Sequence, residues 1–262
     1  MGQRKKLIPG APTTGAAPII DVRTFKGRDI IVQFGLGATP AKFQVLVKQF
    51  LRFHLGSQEA PVPFGGRETQ IATLNNWLAN DAAPSNLLIT APAGRGKTAL
   101  LVRWVGQLVD VAWPIAFVPI SISFGTNDAA VFYPALAARL ASILGYELPI
   151  TSQNPAKFYK NIVLEYLDYL EDCDKRCLLV IDGLDEATGW LVDMSVLPQA
   201  ASRNVRIVVS ARQLAGDWRS DDWLRRLGWN PPQTQASTME LPLSTVRASP
   251  MSCRTWGSPS PI

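Results

Sequence analysis

The chain has 262 residues, 47% of them apolar and 18% charged, which supplies a full hydrophobic core and excludes a wholly disordered or collagen-like chain. Three cysteines (Cys173, Cys177, Cys253) are too few for a disulfide framework and point to a reducing, cytoplasmic setting. The net charge of +5 sits at the ends: residues 1–60 carry +6, residues 61–240 carry −3 and residues 241–262 carry +2, so no nucleic-acid-binding face is expected on the main body.

No run approaches the roughly 18 apolar residues needed to span a bilayer. The start, MGQRKKLIPG, lacks the apolar centre of a signal peptide, and Lys6 stands where a myristoylation pattern needs Ser or Thr. Residues 1–20, rich in Gly, Ala, Pro and Thr, read as a flexible arm. Asp29–Gly35 is a candidate short strand. Ala41–Leu55 is predicted helical, with Phe43, Val47, Phe50, Leu51 and His54 on one side and Lys42, Lys48 and Arg52 off that stripe. Such a helix is expected to pack on its own domain, a membrane surface or partner groove being the alternative. Ser57–Gly66 reads as a linker, so residues 1–60 are assigned to a basic N-terminal arm with an unknown protein partner.

From Phe64 the pattern alternates. Strands are expected at Asn86–Thr90, Ile115–Ile120, Cys177–Ile181, Arg206–Ser210 and Thr238–Leu241. Helices are expected at Lys97–Leu108, Asp128–Leu144, around Phe158–Tyr169 and at Asp221–Leu227. Strands that are apolar throughout and separated by helices predict a parallel sheet covered on both faces. Trp104 and Trp113 are expected to pack, and Cys177 to lie in the core.

Between the first strand and its helix stand Ala91, Pro92, Ala93, Gly94, Arg95, Gly96, Lys97 and Thr98. This matches the phosphate-binding loop pattern, with Ala91 in place of the first glycine and the required strand before and helix after. A polyphosphate needs several N–H donors converging on one point, which a loop backed by a helix N-terminus supplies. Gly94 and Gly96 permit backbone angles and a close approach that a Cβ would oppose. Lys97 can reach β and γ oxygens, Thr98 can offer its hydroxyl to Mg²⁺, and Ala99 adds an N–H in the first helical turn. The cofactors implied are ATP or ADP and Mg²⁺.

The third strand ends in Asp182, Gly183, Leu184, Asp185 and Glu186. A carboxylate at the C-terminal edge of a parallel strand faces the ligand crevice, so Asp182 is placed to hold the Mg²⁺ shell. Gly183 occupies the place where many ATPases carry a catalytic Glu. Asp185 and Glu186 are then the candidates for orienting an attacking water.

The DGLDE run resembles the Walker B motif of the STAND class of P-loop ATPases, relatives of the AAA+ ATPases, and of their NACHT branch in particular. Phe64–Glu68 (FGGRE), followed by a helix to about Leu78, resembles the first motif of bacterial STAND proteins. Arg206–Arg212 (RIVVSAR) resembles their fourth strand and sensor arginine. The stretch from Asp217 and Trp218 through Leu227, Gly228 and Trp229 is similar in character. The resemblance covers about residues 61–242. It implies a three-layer αβα sandwich on a five-stranded parallel sheet, Arg67 beside the adenine base, Arg212 reading the γ-phosphate, and association into homo-oligomers. It also implies slow ATP hydrolysis as a signalling switch. The alternatives are a nucleotide-binding module that does not hydrolyse, or an inactive truncated fragment. No N-K-x-D element is present, so ATP is expected over GTP.

One histidine, His54, provides no multi-histidine metal site. After Leu243 the Ser-, Pro- and Arg-rich tail has no helical or strand period, where the resemblance implies a helical and winged-helix region. Read one base earlier, codons from Ala248 onward place apolar residues at i, i+3, i+4 and i+7. Residues 244–262 are therefore expected to be a frameshifted reading of a helix, a disordered tail being the other reading.

Overall fold

The computed structural model describes residues 34, 39–57, 59–108, 113–151, 153–173, 175–190, 197, 204–213, 220–230 and 236–242. The flexible arm, all of the Asp29–Gly35 strand except Phe34, Asp217, Trp218 and the tail from 243 lie outside them.

Five strands are described: β1 (Asn86–Ala91), β2 (Ile115–Pro119), β3 (Cys177–Asp182), β4 (Val205–Arg212) and β5 (Ala236–Glu240). All are parallel, in the order β2-β3-β4-β1-β5. Every residue of β1, β2 and β3 is buried, as continuous apolar runs in a sheet covered on both faces require. The edge strand β5 is half-exposed. Observed strand ends differ from the expected ones by one or two residues, the ordinary scatter at frayed ends.

Among the described residues six helices accompany the sheet: α1 (Ala41–Leu55), α2 (Glu68–Ala79), α3 (Lys97–Gln107), α4 (Ala129–Leu144), α5 (Pro155–Asp172) and α6 (Ser220–Leu227). The strand order sorts them. The β1→β2 connection runs one way across the sheet and the later connections run the other way. Right-handed crossovers therefore put α3 on one face and α4, α5 and α6 on the opposite one. Contacts agree: α1 and α2 pack on α3, α4 packs on α5 and β2, and α6 packs on β1. Local sequence starts these helices. The Asp128 carboxylate accepts the Ala130 N–H at 2.7 Å before α4. Asn154 caps α5, with Pro155 in the first turn.

Helix α1 belongs physically to this body. It buries Phe43, Val47, Phe50, Leu51 and Leu55, and the Phe50 ring lies 6.2 Å from Phe117 of β2. Phe34 meets the same ring edge-on at 5.1 Å. The segment expected to be a linker is tied down instead. The Val62 N–H donates to Leu55 O at 3.0 Å, the buried Arg103 donates to Val62 O at 2.6 Å, and its guanidinium lies over Phe64. Prolines and glycines made this stretch look loose, but the Arg103 side chain of α3 and the Leu55 carbonyl at the end of α1 fix it. Trp104, Trp113 and Cys177 are buried as expected, and burial pushes the Cys177 thiol up to about 12.

Candidate nucleotide site

The helices α3 and α6, which follow the adjacent strands β1 and β4, lie on opposite faces of the sheet. The crevice beyond the C-terminal ends of those strands is the place where open α/β sheets bind ligands. The loop after β1 turns through two glycines in the left-handed region, Gly94 at φ 73° and Gly96 at φ 80°. A Cβ on either would meet nothing within 4 Å, so backbone angle, not crowding by the chain itself, requires glycine there. Helix α3 begins at Lys97, and its first internal bond runs from the Leu100 N–H to Gly96 O at 2.9 Å. The N–H groups of Lys97, Thr98 and Ala99 precede that ladder, and the positive end of the helix dipole lies with them. Ala91 is buried at the end of β1, while Pro92, Ala93 and Gly94 are exposed and Arg95 half-buried. The Lys97 ammonium donates to Ala91 O at 2.9 Å. Burial holds its pKa below the ordinary lysine value, against the opposing charges of Asp185, Asp182 and Glu186.

Asp182 ends β3 at 2% exposure. Burial pushes its carboxyl up to about 6, opposed by hydrogen bonds from Ser210 and Thr98 and by the charge of Lys97. The donor set suits Mg²⁺: a buried carboxylate beside a threonine hydroxyl, both hard oxygen ligands, in a place where a negative charge is costly without a cation. Thr98 and Asp182, expected as metal ligands from sequence, are neighbours here, the Thr98 hydroxyl favouring the charged form of the carboxyl.

Gly183 turns the chain at φ 84°, and a Cβ there would lie 2.5 Å from Ile120 O. The position that carries an acid in many ATPases is sterically closed in this chain. Asp185 and Glu186 follow in a single 3₁₀ turn, Leu184–Glu186. The Asp185 carboxylate grips Arg212, accepting its backbone N–H at 2.8 Å and lying 3.2 Å from its Nε. The Arg212 side chain keeps 40% of its surface exposed at the crevice end of β4. Glu186 accepts the Ile122 N–H at 2.9 Å through Oε2. Arg67 stands just before α2 and is 4% exposed. Its Nη2 donates to Arg95 O in the loop at 2.7 Å and to Pro242 O beyond β5 at 3.0 Å. It therefore bolts the loop to the chain leaving β5.

Sequence reasoning missed Ser210, which is fully buried and donates to Asp182 Oδ1 at 2.5 Å. It also missed a hydroxyl chain beside the loop. Thr90 Oγ1 lies 2.8 Å from Ser220 Oγ, Ser220 donates to Glu240 at 2.9 Å, and Gln213 donates to Thr90 at 3.2 Å. The available signal was a polar residue inside an apolar strand run, since a buried hydroxyl needs a partner.

A parallel sheet in this order, with a glycine loop joining a central strand to a helix N-terminus, decides the architecture. The fold is that of a P-loop NTPase. No protein-family model and no curated protein matches the chain. Among solved structures it is similar to the Aeropyrum pernix ORC1 protein in complex with DNA, at 18% identity and TM-score 0.38, covering 77% of this chain and 49% of that one. It is also similar to Drosophila ORC bound to AT-rich DNA and Cdc6, at 11% identity and TM-score 0.40, covering 79% and 59%. The chain thus spans about half to three-fifths of those chains. Among the described residues no helix is long and apolar enough to cross a membrane.

Proposed function

We propose that the chain binds ATP or ADP with Mg²⁺ and hydrolyses ATP slowly, as the nucleotide switch domain of a STAND-type, NACHT-like signalling ATPase. One observation carries the reading: the loop N–H groups, Lys97, the Thr98–Asp182 pair and the Asp185–Arg212 pair all meet at the C-terminal edge of one parallel sheet. That combination suits a polyphosphate with a divalent cation.

In this reading the loop from Ala91 to Gly96 and the first N–H groups of α3 bind the phosphates. Lys97 exchanges its carbonyl contact for phosphate oxygens. Thr98 and Asp182 hold Mg²⁺, which supplies charge neutralisation on the phosphates when bound. Arg212 is aimed by Asp185 toward the terminal phosphate. Glu186 is then the better candidate for orienting water, because both Asp185 oxygens serve Arg212, whereas Glu186 meets the Ile122 N–H through Oε2. Arg67 acts on the site through the loop backbone it holds, and its hydrogen bonds favour that role over contact with the base. A homo-oligomer, resting on the resemblance, and a protein partner for the N-terminal arm, resting on its basic charge and amphipathic helix, belong to the same proposal.

The test is nucleotide binding and phosphate release by purified protein. Wild type is expected to bind ATP with Mg²⁺, Lys97→Ala to lose binding at least tenfold, and Glu186→Gln to bind but release no phosphate. Equal binding by wild type and Lys97→Ala would refute the reading. A second reading, a module that binds and never hydrolyses, is favoured by the closed position at Gly183 and the engagement of both acids. Tight binding without phosphate release from wild type selects it.

A further inference from the structure

Ser210 interrupts the apolar run of β4 with a hydroxyl that is 0% exposed. A hydroxyl has one proton to give and lone pairs to accept with. The Gly183 N–H donates to Ser210 Oγ at 3.0 Å. The proton on Oγ is directed to Asp182 Oδ1, 2.5 Å away. The Gly183 peptide is itself held in place: the Glu186 N–H donates to Gly183 O at 2.9 Å and the Ile120 N–H to Asp182 O at 2.7 Å. The Thr98 hydroxyl, at the start of α3, also favours the charged form of Asp182. Asp182 is therefore held by β4 through Ser210, with its carboxylate oriented before any ligand arrives.

We propose that Ser210 is a positioning residue for the divalent cation: it orients Asp182 so that the site meets Mg²⁺ with its carboxylate already placed, and it does so without touching nucleotide. The proposal rests on the reading of this crevice as an Mg-nucleotide site. Groups that orient a metal ligand typically set metal affinity by about 10–100-fold, because the ligand otherwise loses torsional freedom on binding. A serine that merely filled the core and satisfied the Gly183 N–H would change stability and leave cation affinity alone.

The experiment separates cation from nucleotide. A fluorescent ATP analogue is titrated onto the protein in EDTA, and MgCl₂ is then titrated at fixed nucleotide. Ser210→Ala is expected to leave affinity in EDTA within about threefold and to raise half-saturating Mg²⁺ about tenfold or more. Ser210→Thr, which keeps the hydroxyl, restores the wild-type value. In an Asp182→Asn background Ser210→Ala has no further effect on Mg²⁺, because the residue through which it acts is gone. Should the alanine variant fail to fold, Ser210→Cys keeps the volume with a weak donor and is read by the same criteria. Half-saturating Mg²⁺ within twofold of wild type, or an equal loss of affinity with and without Mg²⁺, overturns the proposal alone. Wild type that binds nucleotide no better than Lys97→Ala overturns the parent reading and this proposal together.

Discussion

Gly183→Ala is a substitution of one methyl group whose cost follows from the backbone. Two penalties add. An L-residue at φ 84° costs about 1–2 kcal/mol relative to glycine. The new Cβ would also sit 2.5 Å from Ile120 O, where ordinary contact begins at 3.4 Å. Ile120 cannot retreat freely, because its N–H donates to Asp182 O at 2.7 Å, and Gly183 cannot shift without straining its own bond to Ser210. Overpacking of this kind costs about 1–3 kcal/mol, so a total of about 2–5 kcal/mol is expected. With a urea m-value of about 2–3 kcal/mol/M, the midpoint should fall by roughly 1 M at unchanged slope. Equilibrium urea unfolding followed by tryptophan fluorescence reads this directly. A midpoint within about 0.2 M of wild type would refute the argument. The same geometry predicts that Gly183→Glu destabilises at least as much and gains no turnover, so an acid cannot be restored there by substitution.

The Asp185–Arg212 contact predicts non-additive losses. Arg212→Ala should lower phosphate release about a hundredfold and Asp185→Asn about tenfold, with the double variant no worse than Arg212→Ala. Full additivity would show that Asp185 acts on its own. Burial lowers His54 from its ordinary 6.5 to about 4. Between these values the unfolded chain takes up the proton and the folded chain does not. Stability is therefore full above 6.5 and falls as pH drops toward 4. After allowance for solvent at this half-buried ring the loss is about 1 kcal/mol at pH 5. His54→Gln should remove that part of the pH dependence in urea unfolding at pH 7.5 and 5, and an unchanged dependence would count against it. Phe50→Ala, which empties a place between Phe117 and Phe124, should cost about 3–5 kcal/mol and lower the whole unfolding transition. Loss of α1 in a separate, earlier transition would show that α1 is not part of the same cooperative unit.

The sheet and the loop were legible in the chain because their signals are local. Apolar runs such as Cys177–Ile181 report burial on both faces, and Gly94, Gly96, Lys97 and Thr98 stand within five residues of each other. Asp182 was legible for the same reason, as the polar residue where an apolar strand stops. What β-strand period and motif spacing cannot report is which distant groups share a hydrogen bond. Ser210 meets Asp182 across 28 positions, Arg67 meets Pro242 across 175, and Arg103 meets Val62 across 41. The first two pairings follow from the strand order, which sets β3 beside β4 and brings the exit of β5 next to the β1 loop, and the third from the packing of α1 on α3. The sequence by itself determined a parallel α/β body with a phosphate-type loop. Only the tertiary structure decided that Asp185 serves Arg212, that Gly183 admits no side chain, and that α1 shares the core, because each depends on contacts between segments far apart along the chain.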